Sequence, residues 1–265
     1  MLRVFPSPTG ISMTSTKLKG LIYTLVSLLV WLLVWQISAV ALDREYFLPA
    51  PVTTFKALLS LISTAEFYRI TLLTLTRVLL GISLGVIIGT LFAVLSHSLT
   101  WFYHLVRIPI TVVRSTPVAS FIIILWILLS GDALAVFVAV LMVAPIVWQN
   151  LLDGYSSIDK ELIEVTEVFG FSKRKRFLVL TLPALKKYFL PAVITSVGLG
   201  WKAEIAAEII AYTKNSIGQK ISDAKYNLHT AEVFAWTLII IFFSIALEWA
   251  TRTLLRRFDK RGRKV

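Results

Sequence analysis

The sequence predicts an all-α membrane protein with six transmembrane helices, and three observations lead there. The 265 residues are 57% hydrophobic, above the roughly 45–50% of soluble domains, and the mean hydropathy is +0.80. Six apolar stretches each approach or exceed the roughly 20 residues with which a helix crosses a hydrocarbon layer while satisfying its own backbone hydrogen bonds. Basic residues crowd both ends of the chain. Two cytoplasmic ends require an even number of crossings, which agrees with six and argues against five or seven.

The six stretches are Leu21–Leu42, Thr71–Leu95, Trp101–Leu129, Ala133–Leu152, Ala184–Tyr212 and Ala231–Leu255. Ala39-Val40-Ala41 after the first imitates a signal-peptidase site, but the apolar run exceeds a signal sequence and, with Trp31 and Trp35, reads as a retained anchor. In the second, Gly81, Gly85 and Gly89 fall four apart, a flat stripe on which another helix packs closely; a glycine-lined path or hinge is the alternative. Arg107, Pro109, Arg114 and Pro117 crowd the first half of the third, which predicts an interfacial or broken start and a dry part from about Pro117. The turn Ser130-Gly131-Asp132 before the fourth is external, and the segment 153–183 after it internal.

Residues 1–20 carry Arg3, Lys17 and Lys19 without an acid, and the last stretch carries Arg252, Arg256, Arg257, Lys260, Arg261, Arg263 and Lys264 against Asp259. The predicted organisation is one membrane domain, 21–258, between cytoplasmic basic tails 1–20 and 259–265, with no internal repeat. A net charge of +12 and a pI near 10.0 raise nucleic acid as a partner. The cations, however, flank apolar runs and build no soluble basic face, so lipid is the predicted contact and nucleic acid is not. Cysteine is absent, and His97, His104 and His229 are too scattered to argue for a metal.

The internal segment is the most informative. Ser157 or Asp159 caps a short helix, Glu161 and Glu164 favour its N-terminal end, and Leu162, Val165 and Phe169 make an apolar stripe. Gly170 ends that helix in the left-handed conformation, and Ser172 caps a second over Lys173–Arg176. Phe169 and Phe171 near the tip offer an anchor for a groove on another protein. The plain alternative is a solvated loop that only orients the chain.

In this segment Glu164-Val165-Thr166, three residues, Gly170, nine residues, Leu180, one residue and Leu182-Pro183 resemble the EAA loop of ABC importer permeases in spacing throughout. Val165 and Thr166 stand where the family has paired alanines. Leu48-Pro49-Ala50-Pro51, Thr76-Arg77-Val78, Arg114-Ser115-Thr116-Pro117 and the run Trp201 to Glu208 extend the resemblance to about residues 48–258. They narrow it to the nitrate, taurine, sulfonate and bicarbonate type, although Ser216-Ile217-Gly218 replaces that type's Gly-Leu-Gly. The resemblance implies a type I importer architecture in the bacterial cytoplasmic (inner) membrane: a homodimer with separate ABC ATPase subunits and an extracytoplasmic substrate-binding protein. It also implies a coupling helix in which Glu164, Val165, Thr166, Phe169, Gly170 and Phe171 meet the ATPase.

No GxxxxGK[ST] loop, HExxH, GxSxG or Cys/His cluster is present. The chain is therefore expected to be a conduit and not an enzyme, with ATP and Mg held by the partner ATPase and no cofactor of its own. Alternating access would follow from ATPase closure moving the loops. An ion-gradient-driven secondary transporter or channel is the alternative, and it would be expected to show inverted repeats or paired broken helices. A membrane scaffold would leave the charges inside the spans unexplained.

Those charges are Arg77, Lys202, Glu204 and Glu208. Glu204 and Glu208 lie one turn apart beside Gly200, Ala203, Ala207 and Ala211 and are expected to face protein. At about 100° per residue Lys202 points roughly 160° away from Glu204, so the two do not pair in a straight helix. Lys202 then needs another helix, a watery path or a route to the interface. The four are candidates for the translocation path, with interhelical pairing as the alternative.

Overall fold

The computed structural model describes the backbone of Met13–Gly262 and the side chains of residues 19–257. Arg3, Lys17 and residues 258–265, on which part of the orientation argument rests, lie outside the described side chains. Every regular element described is helical: α1 Met13–Leu42, α2 Pro51–Ile62, α3 Ala65–Ser98, α4 Thr100–Ser115, α5 Val118–Leu128, α6 Gly131–Ser156, α7 Lys160–Val168, α8 Lys173–Arg176, α9 Leu182–Ile210, α10 Ile217–Tyr226 and α11 Thr230–Gly262. A π-helical turn, Phe177–Thr181, joins α8 to α9.

Helices α3, α6 and α9 form the centre. The glycine stripe of α3 lies directly on α6, where a Cβ added at Gly81 would meet Ala139 Cβ at 2.6 Å, at Gly85 Val143 Cβ at 2.7 Å, and at Gly89 the Ala144 carbonyl at 2.5 Å. All three are buried, which is the packing reading of the stripe. These contacts also fix direction. Residue numbers rise together along α3 and α6, so the two helices run parallel. The chain must return across the membrane between them.

Only α4 and α5 are available for that return. They meet at an angle of 112°, with the break at Thr116-Pro117. Pro117 lacks an N–H and disfavours a helical residue before it, so the helix stops where the sequence predicts. Five helices are long and apolar enough to span singly, and the bent pair makes six.

Antiparallel to α6, α9 places Gly200 against Val143 and Leu185 and Tyr188 against Gly154. Helix α11 runs back down α9, with Trp201 Nε1 donating to the Ile240 carbonyl at 3.2 Å and Glu248 beside Gly198. Trp201 and Trp236 are among the largest fully buried side chains. Helix α1 is peripheral, with Leu29 60% and Trp31 69% exposed. Trp35 holds it, its Nε1 donating to the Pro49 carbonyl at 3.0 Å and its ring stacking on Phe234. This pairs the end of α1 with the start of α11, so the start of α1 and the end of α11 share a side.

Two helices go beyond the expected spans. Pro51 occupies the first turn of α2, where its missing N–H costs nothing, and at 12 residues, about 18 Å, α2 is too short to cross. Ser216 caps α10 by accepting the Gln219 N–H at 2.9 Å. Its φ of −133° is extended backbone open to any residue, so serine replaces glycine there without strain. The following Gly218 has no such freedom, since a Cβ would lie 2.4 Å from Glu208 Cβ.

Candidate functional sites: a helical loop and two groups of charges

The loop between α6 and α9 forms as its residues direct. Asp159 accepts the Glu161 N–H at 2.9 Å and starts α7. Gly170, at φ +64°, ends it: its N–H donates to the Glu167 carbonyl and that of Phe171 to the Thr166 carbonyl, both at 2.9 Å, the paired arrangement of a glycine-closed helix. Ser172 accepts the Lys175 N–H at 3.3 Å to cap α8. Arg176 reaches back to Glu167 at 2.5 Å, clasping the two short helices.

The outer face of this helix-turn-helix is apolar. Phe169 is 74% and Val168 86% exposed, with Leu162 and Val165 about half exposed and Glu164 exposed beside them. Thr166 points inward, its hydroxyl donating to the Ile163 carbonyl at 2.7 Å. Phe171 is half-buried beneath the Lys175 ammonium, 4.0 Å from the ring centre, so it steadies the turn and Phe169 is the free ring. Val168, the most exposed of the group, escaped the sequence reading because it lies off the Leu162–Val165–Phe169 stripe.

The four intramembrane charges do not form one cluster. Arg77 and Glu208 pair at 3.0 Å. Arg77 also reaches Asp132 at 2.8 Å and the carbonyls of Lys214 and Asn215 at 3.3 Å, binding α3 to the start of α6 and to the α9–α10 turn. Glu208 accepts from Thr74 Oγ1 at 2.9 Å and from the Gly218 N–H at 3.2 Å. Glu204, fully buried, lies against the Glu208 carboxylate, with Arg77 and Asp132 as further charges nearby, and neither of its oxygens receives an N–H or hydroxyl donor from the other described residues.

Lys202 sits apart, as the helical angle requires. It is exposed, two residues beyond Gly200, which packs on α6, and pairs with no described residue. With Arg114, Thr116, Met142, Pro145 and Ala206 it lines a cavity of about 360 Å³ between the α4–α5 break, α6 and α9. Arg114 lies 3.5 Å from Gln149 Oε1. A cation at mid-depth costs at least about 2.5–3.5 kcal/mol against hydrocarbon, which argues that this face meets protein or water and not lipid tails.

Six crossings, a broken third span and an exposed apolar helix-turn-helix between spans four and five define a multi-pass membrane subunit. Residues 81–264 match the model of the binding-protein-dependent transport system inner membrane component, and the chain belongs to that family: it is a multi-pass inner-membrane permease subunit of an ABC importer, and not itself an enzyme.

Among its relatives, the putative aliphatic sulfonates transport permease of Bacillus subtilis is 24% identical over 92% of this chain and 87% of its own length. The taurine transport system permease of Escherichia coli is 24% identical over 88% and 85%, and the bicarbonate transport system permease of Synechococcus elongatus 27% over 94% and 95%. The fold is shared with an amino acid ABC transporter solved with histidines (TM-score 0.57, 18% identity, 72% of this chain and 91% of that one). The MetNI methionine ABC transporter in an inward-facing form gives 0.53, 14%, 72% and 93%. These place the architecture as the type I ABC importer fold.

Proposed function

We propose that two copies of this chain form the translocation path of an ATP-driven importer for a small anion, handed over by an extracytoplasmic binding protein and released to the side on which the α7–α8 loop lies. That side is the cytoplasm, and both ends of the chain share it. ATP and Mg are held by ABC ATPase subunits, whose groove takes Phe169 and Val168, with Glu164 and Val165 along the rim and Gly170 setting the turn. The observation that carries the reading is the exposed Val168–Phe169 pair at the tip of a helix pinned by two caps and an ion pair: a rigid apolar projection in water implies a partner surface.

The anionic substrate is supported by the sulfonate, taurine and bicarbonate permeases among the relatives and by the cation on the cavity face. Arg77 and Glu208 act as an interhelical lock at the external end, Glu204 packs behind it, and Lys202 alone of the four faces the path. Purification in mild detergent with mass spectrometry of what accompanies the chain tests this. A stoichiometric P-loop ATPase is expected, lost in a Gly170→Trp or Phe169→Ala variant; an ATPase-free oligomer that still transports would overturn it.

A further inference from the structure

Arg114 and Lys202 come from different elements, the end of α4 and the second half of α9, and converge on the same cavity of about 360 Å³. A space of that size suits a small ligand. Its remaining lining is apolar apart from the Thr116 hydroxyl, and no carboxylate is among the lining residues. Lys202 has no ion pair or hydrogen bond among the described residues, and Arg114 meets only the amide oxygen of Gln149, at a long 3.5 Å. Two cations with unspent donors therefore face one apolar space beside the middle of α6, around Met142 and Pro145, where they are strongly disfavoured without an anion or water. The depth argues against a lipid headgroup. Arg77 differs in kind, since its donors are already spent on Glu208, Asp132 and two carbonyls.

We propose that this cavity is an anion site on the translocation path, and that Arg114 and Lys202 set its charge selectivity for a small oxyanion. The break at Thr116-Pro117 is what makes the site: it ends α4 so that Arg114 turns toward α9 while Val118 begins a new helix along the cavity wall. The inference rests on the permease reading, and its test separates the two.

The chain contains no cysteine, so a Met142→Cys variant carries a single thiol in the cavity wall. In the complex purified with its ATPase, that thiol is treated with an anionic methanethiosulfonate (sulfonatoethyl) and with a cationic one (trimethylammonioethyl). Each rate is divided by that of free 2-mercaptoethanol, and modification of this chain is followed by mass. The anionic reagent is expected to react about tenfold faster than the cationic one, because like-sign walls concentrate the counter-charge. Adding Arg114→Gln and Lys202→Gln brings the ratio near one, and Lys202→Arg preserves it. If the double variant does not assemble, Lys202→Gln alone is read the same way, with about a threefold fall in the ratio. No reaction with either reagent, or a ratio indifferent to these neutralisations, overturns the anion site while leaving the permease reading intact. Absence of the ATPase from the preparation counts against the permease reading instead.

Discussion

The Nη1 of Arg77 lies 3.0 Å from Oε1 of Glu208, and the two side chains are only 7% and 0% exposed. They join α3 to α9 where three helices and the α9–α10 turn meet, so the pair works as a lock whose halves are each costly alone. Arg77→Met leaves Glu208 buried without its cation, and the expected destabilisation is about 3–5 kcal/mol, with Glu208→Leu similar. The double variant should recover much of that loss. Thermal unfolding of the four proteins in one detergent checks this; strictly additive losses would show that the contact carries no coupling.

Gly89 is the tightest point of the α3–α6 contact, with a Cβ placed 2.5 Å from a backbone oxygen that cannot step aside. Gly89→Ala is expected to cost about 1–3 kcal/mol by pushing the two helices apart, whereas Gly20→Ala, which meets nothing within 4 Å, leaves the unfolding midpoint unchanged.

Glu204 is buried with both oxygens lacking a donor. Glutamine keeps its shape and brings an N–H toward Glu208, so Glu204→Gln should hold stability within about 0.5 kcal/mol or raise it. Glu208→Gln, which removes the charge facing Arg77, should lower it. An equal fall in both variants, measured as the midpoint of thermal unfolding, would contradict the different roles assigned to two acids one turn apart.

Much of this was legible in the sequence because the governing rules are local. Apolar length gave the six crossings, Pro117 the break, the spacing of Gly81, Gly85 and Gly89 the close face on α6, and Asp159, Gly170 and Ser172 the caps of the loop. Helical angle alone separated Lys202 from Glu204. What escaped depends on tertiary contacts or on short signals. Grouping Arg77 with Lys202 followed from both being cations within spans, but only the fold shows that Asp132 and the 214–215 carbonyls surround the first and an open cavity the second. Helix α10 had a signal, Ser216 followed three residues later by Gln219, which reads as a capping pair. The amphipathic α2 had Pro51 at its start. Both lie outside the apolar runs, where neither length nor hydropathy marks a helix.

ATP-driven uptake coupled through the α7–α8 loop is tested most directly by transport into proteoliposomes carrying this chain with its ATPase, with the binding protein on the opposite face. Taurine, an alkanesulfonate, nitrate and bicarbonate are offered with ion gradients collapsed by ionophores. Uptake of one of these anions that requires both ATP and the binding protein, and that falls at least about tenfold in a Phe169→Ala variant, is the predicted result. Uptake that proceeds without the ATPase and disappears when the gradients are collapsed would contradict it and identify a gradient-driven carrier.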